Sequence, residues 1–170
     1  MPHKALGRFL RGQAGQSIVE VALALPLLSG TLLGGADMAR AFADQLAVQN
    51  GARAAAESAV LDALPTGASA AGHAQDEMSR TPGMAVAGVC TQSGTTWTCG
   101  SAKITVLFTL ADGATACTGA SSNAVVGKAS LAIPCFAKVR VRYSFHTLVP
   151  WPGLPHTFAF DRTTMFRRYQ

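Results

Sequence analysis

A glycine followed five places later by a glutamate, at the start of a long apolar run, is the pattern with the clearest chemical meaning in this sequence. Gly15 and Gln16 flank one peptide bond, and Glu20 is the only charged residue between that bond and Asp37. Hydrolysis after Gly15 would place a new amino group on Gln16, one helical turn from the carboxylate of Glu20. Opposite charges would then pair within one subunit or between neighbouring subunits, near the positive end of the helix dipole. The spacing therefore predicts a processing site at these three residues.

Glu20 also has a simpler interpretation. A carboxylate in an apolar membrane segment costs about 2.5 to 3.5 kcal/mol at the bilayer centre and less near an end. Glu20 stands close to the start of the apolar run, where its side chain can extend into the lipid headgroups. From the residues alone, both interpretations of Glu20 are open: a charge partner in assembly and a side chain that reaches the interface.

Residues 18–36 are long enough to cross a bilayer once. A helix of these 19 residues rises about 28 Å, close to the thickness of the hydrocarbon core. The charges on its two sides differ, because three cations and no acid precede it, at Lys4, Arg8 and Arg11. The positive-inside rule then predicts a cytoplasmic basic leader, residues 1–15, and an exported C-terminal part.

The residues around the predicted cut resemble a known family. A glycine with glutamate at the fifth place after it, followed by an apolar run, is the pattern that type IV prepilin peptidases recognise. Segment 15–28 resembles the opening of the TadE-like pseudopilins of tight-adherence (Flp type IV pilus) systems, including Pro26 six places after Glu20. Segment 47–56 resembles the family's Ala- and Arg-rich helix continuation, with Gly51 where alanine is expected, and the strands near 139–150 and 163–167 resemble its last strands more loosely.

The resemblance implies a minor pilin or pseudopilin that is not an enzyme. Its leader, residues 1–15, would be cleaved, and Glu20 and Pro26 would take part in assembly. The implied partners are the inner membrane, a prepilin peptidase, other pilin or pseudopilin subunits and the pilus assembly platform. The implied location is a bacterial inner membrane, crossed once, with a periplasmic C-terminal domain and later incorporation into an extracellular pilus. Two alternatives stay open: a secreted binding or adhesive protein with a Sec signal peptide, and a membrane-tethered periplasmic hydrolase.

The pattern beyond the span predicts an α+β fold, in which a long N-terminal transmembrane helix precedes a small antiparallel sheet, a pilin-like architecture. Many alanines and no proline between residues 36 and 61 favour one transmembrane and extended helix over residues 16–64. Small residues and glycines from Pro65 onward predict a linker over residues 65–83. The remaining residues, 84–170, are predicted to form the exported, disulfide-bearing, β-rich domain.

Two segments alternate apolar and polar residues with a period of two, which predicts half-buried strands. Their apolar positions are Ile104, Val106, Phe108 and Leu110 in the first and Val139, Val141, Tyr143 and Phe145 in the second. Weaker strand signals cover residues 84–90, 95–99, 157–161 and 163–168. We expect the apolar face of the sheet to pack against a helical stripe formed by Met38, Phe42 and Leu46.

The four cysteines suit an exported domain, because exported thiols tend to oxidise. They are Cys90, Cys99, Cys117 and Cys135. Four cysteines allow three connectivities, and loop length favours the sequential pairing of Cys90 with Cys99 and of Cys117 with Cys135. No pair has the Cys-x-x-Cys spacing of a zinc ribbon, so neither a metal nor a cofactor is predicted.

Charge and motifs argue against other classes of protein. The net charge of +5 falls to +2 without the leader, which leaves 11 basic and 9 acidic residues. These cations are scattered, apart from Lys138, Arg140 and Arg142 along one predicted strand, so no nucleic-acid partner is predicted. The sequence also lacks a Gly-x-Ser-x-Gly elbow, a phosphate-binding glycine loop and a His-Glu-x-x-His helix, and its four histidines are isolated. No enzymatic activity is predicted.

Overall fold

The computed structural model describes residues 6–61, 66–117 and 134–168, with side chains from residue 15 onward. The α+β prediction, a long apolar N-terminal helix followed by a small antiparallel sheet, is confirmed. The chain divides into two compact units, residues 1–39 and 40–170. The elements are two helices, α1 (Leu6–Leu61) and α2 (Gly67–Ser79), and five strands, β1 (Thr91–Ser93), β2 (Thr96–Cys99), β3 (Ala102–Thr109), β4 (Phe136–His146) and β5 (Thr157–Arg167).

The first unit is the N-terminal part of α1, which carries its apolar side chains on the outside. Ile18, Leu23 and Leu32 are 71, 73 and 74% exposed. Within the described residues, α1 is the one helix that is long and apolar enough to cross a membrane. Exposure of so many leucines is unfavourable in water, whereas lipid solvates them. The side chains of the leader cations lie outside the described residues.

The core of the second unit includes the C-terminal part of α1, α2 and the inner face of the sheet. Besides Asp44, the buried residues that α1 contributes to this unit are small: Ala47, Val48, Gly51, Ala52, Ala55, Ala56 and Ala59. The expected packing of Met38, Phe42 and Leu46 against the sheet is wrong, since these side chains are 61, 59 and 59% exposed. The sheet already contributes bulky side chains such as Tyr143 and Phe145, so the helix that faces it needs small residues to reach close packing.

Helix α2 occupies most of the segment that was expected to be a linker. Thr66 caps its N-terminus: the Thr66 hydroxyl accepts from the Ser69 backbone N–H at 3.0 Å, and the Ser69 hydroxyl accepts from the Thr66 N–H at 3.3 Å. Ala70, Ala74 and Met78 are buried. The small residues thus act as helix formers and core residues rather than as flexible spacers, because a capping box fixes the start of the helix. Pro65, the expected helix stop, lies outside the described residues.

The sheet is an antiparallel meander in the order β1-β2-β3-β4-β5. The predicted alternation is confirmed: Ile104 lies opposite Val141, Val106 lies opposite Val139, and all four are buried. Leu110 comes just after the end of β3 and is half-buried.

The weaker strand signals have mixed outcomes. Segment 95–99 contains β2, but segment 84–90 forms no strand. That segment is held instead by Gln75, whose Nε2 donates to the carbonyls of Val86 and Gly88 at 2.8 and 2.7 Å. The two C-terminal signals belong to one continuous strand, β5, because it pairs with β4 along the whole length of both strands.

Candidate functional site

The predicted processing residues lie together on the exposed surface of α1. Gln16 and Glu20 face the same side, and the Gln16 side-chain Nε2 donates to Glu20 Oε1 at 3.5 Å. Gly15, one residue earlier, is exposed as well. The spacing of four residues therefore brings the two side chains together on the helix, as the pattern predicts for residues one turn apart. The carboxylate of Glu20 thus lies one helical turn from the backbone nitrogen of Gln16, which would become an amino group after hydrolysis at Gly15.

Among the described residues, no contact requires position 15 to be a glycine. A Cβ built on Gly15 would meet no other atom within 4 Å. Glycine lowers helix stability by about 1 kcal/mol relative to alanine, so the residue weakens α1 without relieving any contact.

Pro26 lies inside α1, which continues on both sides of it. Proline has no N–H, so the carbonyl of Ala22 lacks its usual helical donor. The neighbouring Leu25 and Leu27 are exposed on the helix surface. Glu20 and Pro26 therefore share a segment of α1 that no described residue covers, a surface open to lipid or to other helices.

Two disulfides tie the sheet together. Cys90 and Cys99 are bonded, with Cα atoms 4.4 Å apart, across the β1–β2 hairpin. Gly94 has a φ of +60° in the turn of this hairpin, a conformation that favours glycine. Cys117 and Cys135 are bonded, with Cα atoms 6.0 Å apart, and join the segment after β3 to the start of β4. The structure thus has the sequential pairing.

A polar turn positions Cys117. The carboxylate of Asp112 accepts from the Thr115 hydroxyl and from the backbone N–H groups of Ala114 and Thr115, and these bonds lower the pKa of Asp112. The Cys117 N–H then donates to the carbonyl of Phe108 at 2.9 Å, which returns the chain to β3. Lys138 Nζ donates to the Gly113 carbonyl at 2.8 Å and anchors the turn to β4.

Asp161 is a charged residue of the outer sheet face that the sequence analysis did not single out. Its carboxylate accepts from Arg140 Nε at 2.9 Å and lies 3.2 Å from Arg142 Nε. Hydrogen bonds from Arg140, and then the charges of the neighbouring arginines, lower the pKa of Asp161. The alternation of Lys138, Arg140 and Arg142 was visible in the sequence, but only the register of β4 and β5 brings Asp161 to them.

Two histidines that are isolated in the sequence meet at the end of the β4–β5 hairpin. The ring centroids of His146 and His156 are 6.2 Å apart. His156 Nδ1 lies 2.7 Å from the Thr147 hydroxyl, and His146 Nδ1 lies 3.2 Å from the Thr157 hydroxyl. Within the described ranges, no group of three or more His, Cys, Asp or Glu residues is arranged to hold a metal ion.

Comparison with known proteins identifies the segment that carries the candidate site. Residues 15–57 match the family model of TadE-like proteins. The match includes the predicted processing residues and Pro26, and it confirms the resemblance predicted from segments 15–28 and 47–56. It ends within α1, so the resemblance predicted for the last strands is not part of it. No curated protein and no solved structure matches the chain.

Proposed function

From the TadE-like segment at residues 15–57, we propose that this protein is a minor pilin or pseudopilin of a tight-adherence pilus system. A prepilin peptidase cuts it after Gly15, and the new amino group of Gln16 pairs with Glu20 of its own or a neighbouring subunit. The family match carries the proposal. It is supported by the position of Gly15, Gln16 and Glu20 on one exposed helical segment.

The surface of α1 supports assembly through the membrane segment. This part of the helix presents its apolar side chains outward, and a single-pass anchor needs either lipid or other helices around it. The membrane segment of a pilin-like subunit is surrounded by lipid before assembly and by neighbouring subunits after assembly. Pro26, with its missing N–H, is the point at which α1 bends most easily as it moves between these two environments.

The disulfides support an extracytoplasmic location for residues 84–170. Bonds such as those of Cys90 with Cys99 and of Cys117 with Cys135 form and persist in the periplasm, whereas the cytosol keeps thiols reduced. The cations of the leader and the positive-inside rule also predict that the C-terminal part lies outside the cytoplasm. We therefore place the sheet in the periplasm.

The secreted alternative has less support. A signal peptidase acts on an extended segment with small residues after the apolar run. In this chain the apolar run has a carboxylate near its start, Glu20, and a proline inside it, Pro26, and neither is typical of the apolar region of a signal peptide. A cut after Gly15 instead leaves the membrane segment attached to the rest of the chain.

The mature N-terminus tests the proposal. The full chain is co-expressed with a prepilin peptidase, and the product is analysed by intact mass and N-terminal sequencing. We expect a chain that starts at Gln16. Gly15→Val should leave the precursor intact, because the valine side chain obstructs the peptidase, whereas a Cβ at this position meets no described atom within 4 Å.

The matched control is Gly35→Val, at another helical glycine whose added side chain would meet nothing within 4 Å. This variant carries the same change of residue on the same helix and should be cut normally. A mature start near Asp37 would support the Sec signal peptide. An unprocessed wild-type chain, or normal cleavage of Gly15→Val, would contradict the proposed site.

A further inference from the structure

The outer face of the sheet collects positive charge. The register of β3, β4 and β5 places five cations on it together with one carboxylate. Beyond the leader the chain has 11 basic and 9 acidic residues. This face holds nearly half of the basic residues and one of the acidic residues. We call this surface the basic sheet face, and its charged residues are Lys103, Lys138, Arg140, Arg142, Arg167 and Asp161.

Folding alone does not account for this arrangement. Lys103 on β3 stands directly opposite Arg142 on β4, and like charges at directly opposed positions destabilise a sheet. Asp161 offsets part of the repulsion, because it pairs with both Arg140 and Arg142. The side chains of Arg140 and Arg142 are still 50 and 56% exposed. Among the described residues of this face, five cations stand beside one carboxylate, which leaves an excess of positive charge.

The shape of the face suits a polymer more than an enclosed small molecule. A shallow depression of about 250 Å³ lies at its centre, lined by Thr105, Leu107, Lys138, Arg140, Asp161 and Thr163. This volume is below the range of about 300 to 1,000 Å³ that is typical of small-molecule pockets. A chain that lies across the strands can place one unit in the depression and its neighbours over the flanking cations.

The polar groups of the depression indicate the chemistry of that chain. Lys138 and Arg140 donate hydrogen bonds and attract carboxylates. Asp161 accepts them, and the hydroxyls of Thr105 and Thr163 do both. We propose that the basic sheet face binds an acidic polysaccharide of the uronate type, with its carboxylates on the cations and its hydroxyl groups on Asp161 and the threonines. This proposal uses the extracytoplasmic location of the sheet but does not depend on processing after Gly15.

Nucleic acid fits this face less well. Single strands are held by exposed aromatic rings on which the bases stack, and the one phenyl ring that the described strands place here, Phe136, is half-buried. A phosphodiester backbone has no donor for Asp161, which would repel it. An anionic bilayer offers negative charge on separate lipid headgroups, and not on one chain that can cross the depression and continue over the flanking cations.

Binding to polygalacturonate tests the proposal. The full chain is reconstituted in phosphatidylcholine nanodiscs, and its affinity for immobilised polygalacturonate is measured at low and high ionic strength, with uncharged dextran as the reference polymer. We expect binding to polygalacturonate that weakens as salt screens the charges, and no binding to dextran. The variant K103Q/R142Q should bind about tenfold more weakly or worse, since two charge contacts are lost.

The control variant is R53Q/R80Q, which removes the same charge from the helices. Arg53 on α1 pairs with Glu57, and Arg80 at the C-terminal end of α2 pairs with Glu77. Neither arginine belongs to a strand of the basic sheet face. The control should bind within about twofold of the parent, and both variants should unfold as the parent does when followed by tryptophan fluorescence. Equal loss of affinity in the two variants, or no binding to polygalacturonate, would overturn the proposal. Tighter binding to single-stranded DNA or to phosphatidylglycerol vesicles would overturn it too, by identifying a different occupant.

Discussion

Gly51 on α1 and Met78 on α2 meet without room for a side chain between them. A Cβ built on Gly51 would lie 2.9 Å from Met78 Cγ and 3.1 Å from the backbone oxygen of Ala74. The resemblance to the family's Ala- and Arg-rich helix predicts alanine at position 51. The contact explains the departure: α1 and α2 approach each other closely at this point, and a methyl group would force its neighbours to shift.

Gly51→Ala should therefore lower the free energy of unfolding, by about 1 kcal/mol. Alanine gains up to about 1 kcal/mol of helix propensity, but overpacking in a close contact costs about 1 to 3 kcal/mol. Met78 can change rotamer, whereas the Ala74 carbonyl belongs to the backbone of α2 and cannot. Denaturant unfolding of the full chain in detergent, followed by tryptophan fluorescence, measures the difference.

The control for this prediction is Gly72→Ala on α2. A Cβ there meets nothing within 4 Å, so the propensity gain is not opposed and the variant should be at least as stable as the parent. If both alanine variants raise stability equally, the close contact at Gly51 does not constrain the helices.

Gly100 should tolerate substitution far less than Gly94, although both have positive φ, +58° and +60°. A Cβ on Gly100 would lie 2.1 Å from the backbone oxygen of Ala85, which accepts the Ser101 N–H at 2.7 Å. A Cβ on Gly94 would meet nothing within 4 Å. Gly94→Ala should then lower the free energy of unfolding by about 1 to 2 kcal/mol, because of backbone strain. Gly100→Ala should lower it by about 1 kcal/mol more, because the hydrogen bond from Ser101 to Ala85 is lost as well. Comparison of the two unfolding curves separates the effects, and equal losses would contradict the clash.

How far the sequence predicts the fold depends on the element. The strands around Ile104 and Val139 were predictable because one face is buried and the other solvated, which leaves a period of two in the residues. Helix α2 was not, because Ala and Gly between residues 67 and 74 suit a flexible linker as well as a helix. The capping box at Thr66 was the available signal, in its less common form with serine at the third helical position.

The helical face that packs was missed for a related reason. Met38, Phe42 and Leu46 are the bulky apolar residues, and bulk is normally a good guide to burial. Here the buried stripe is made of alanines, such as Ala52 and Ala55. The contact of Gln16 with Glu20 was easier to predict, since it depends on spacing along one helix and not on tertiary packing. The cut after Gly15 stays a prediction. Asp161 required the register of β5, which the sequence does not give.

Loss of either disulfide should destabilise the second unit. The bonds close loops with sequence separations of 9 for Cys90 and Cys99 and 18 for Cys117 and Cys135. A native disulfide contributes about 2 to 4 kcal/mol, and in the chain-entropy account the longer loop contributes more. C117S/C135S should therefore lower the free energy of unfolding more than C90S/C99S does. Peptide mapping without reductant should find the sequential pairs, and free thiols at all four positions in exported protein would contradict the bonded state.

The ion pair of Arg140 and Asp161 should contribute stability that is lost in acid. Hydrogen bonding from Arg140 holds the pKa of Asp161 below its ordinary value of 3.8. A carboxyl group whose pKa is lower in the folded state stabilises the protein above the unfolded pKa, and this contribution disappears as the pH falls through the folded pKa. The difference in unfolding free energy between the parent and Asp161→Asn should thus be constant well above pH 4, decrease as the pH falls below about 4, and level off only below the folded pKa of Asp161.

The size of that difference should be small, because the pair is exposed to solvent. Arg140→Gln removes the main cause of the lowered pKa and should reduce the acid dependence in the same range. An unfolding series in steps of pH measures all three proteins. A difference that persists unchanged into strong acid would mean that Asp161 acts through its shape and not through its charge.

Glu20 should separate cleavage from assembly. Glu20→Ala makes the membrane segment more apolar, so the variant should insert and be cut after Gly15 like the parent. Its incorporation into the pilus should fall, because the amino group of Gln16 loses its charge partner.

Glu20→Gln keeps a side chain that can accept from Gln16, as Glu20 does at 3.5 Å, but it removes the charge. This variant should therefore fail in the same way as Glu20→Ala. The fraction of mature protein recovered in sheared pili, compared with Leu23→Ala on the same helix, measures the effect. Normal incorporation of Glu20→Gln would show that the charge is dispensable, and normal incorporation of Glu20→Ala would favour the simpler account, in which the carboxylate only reaches the lipid headgroups.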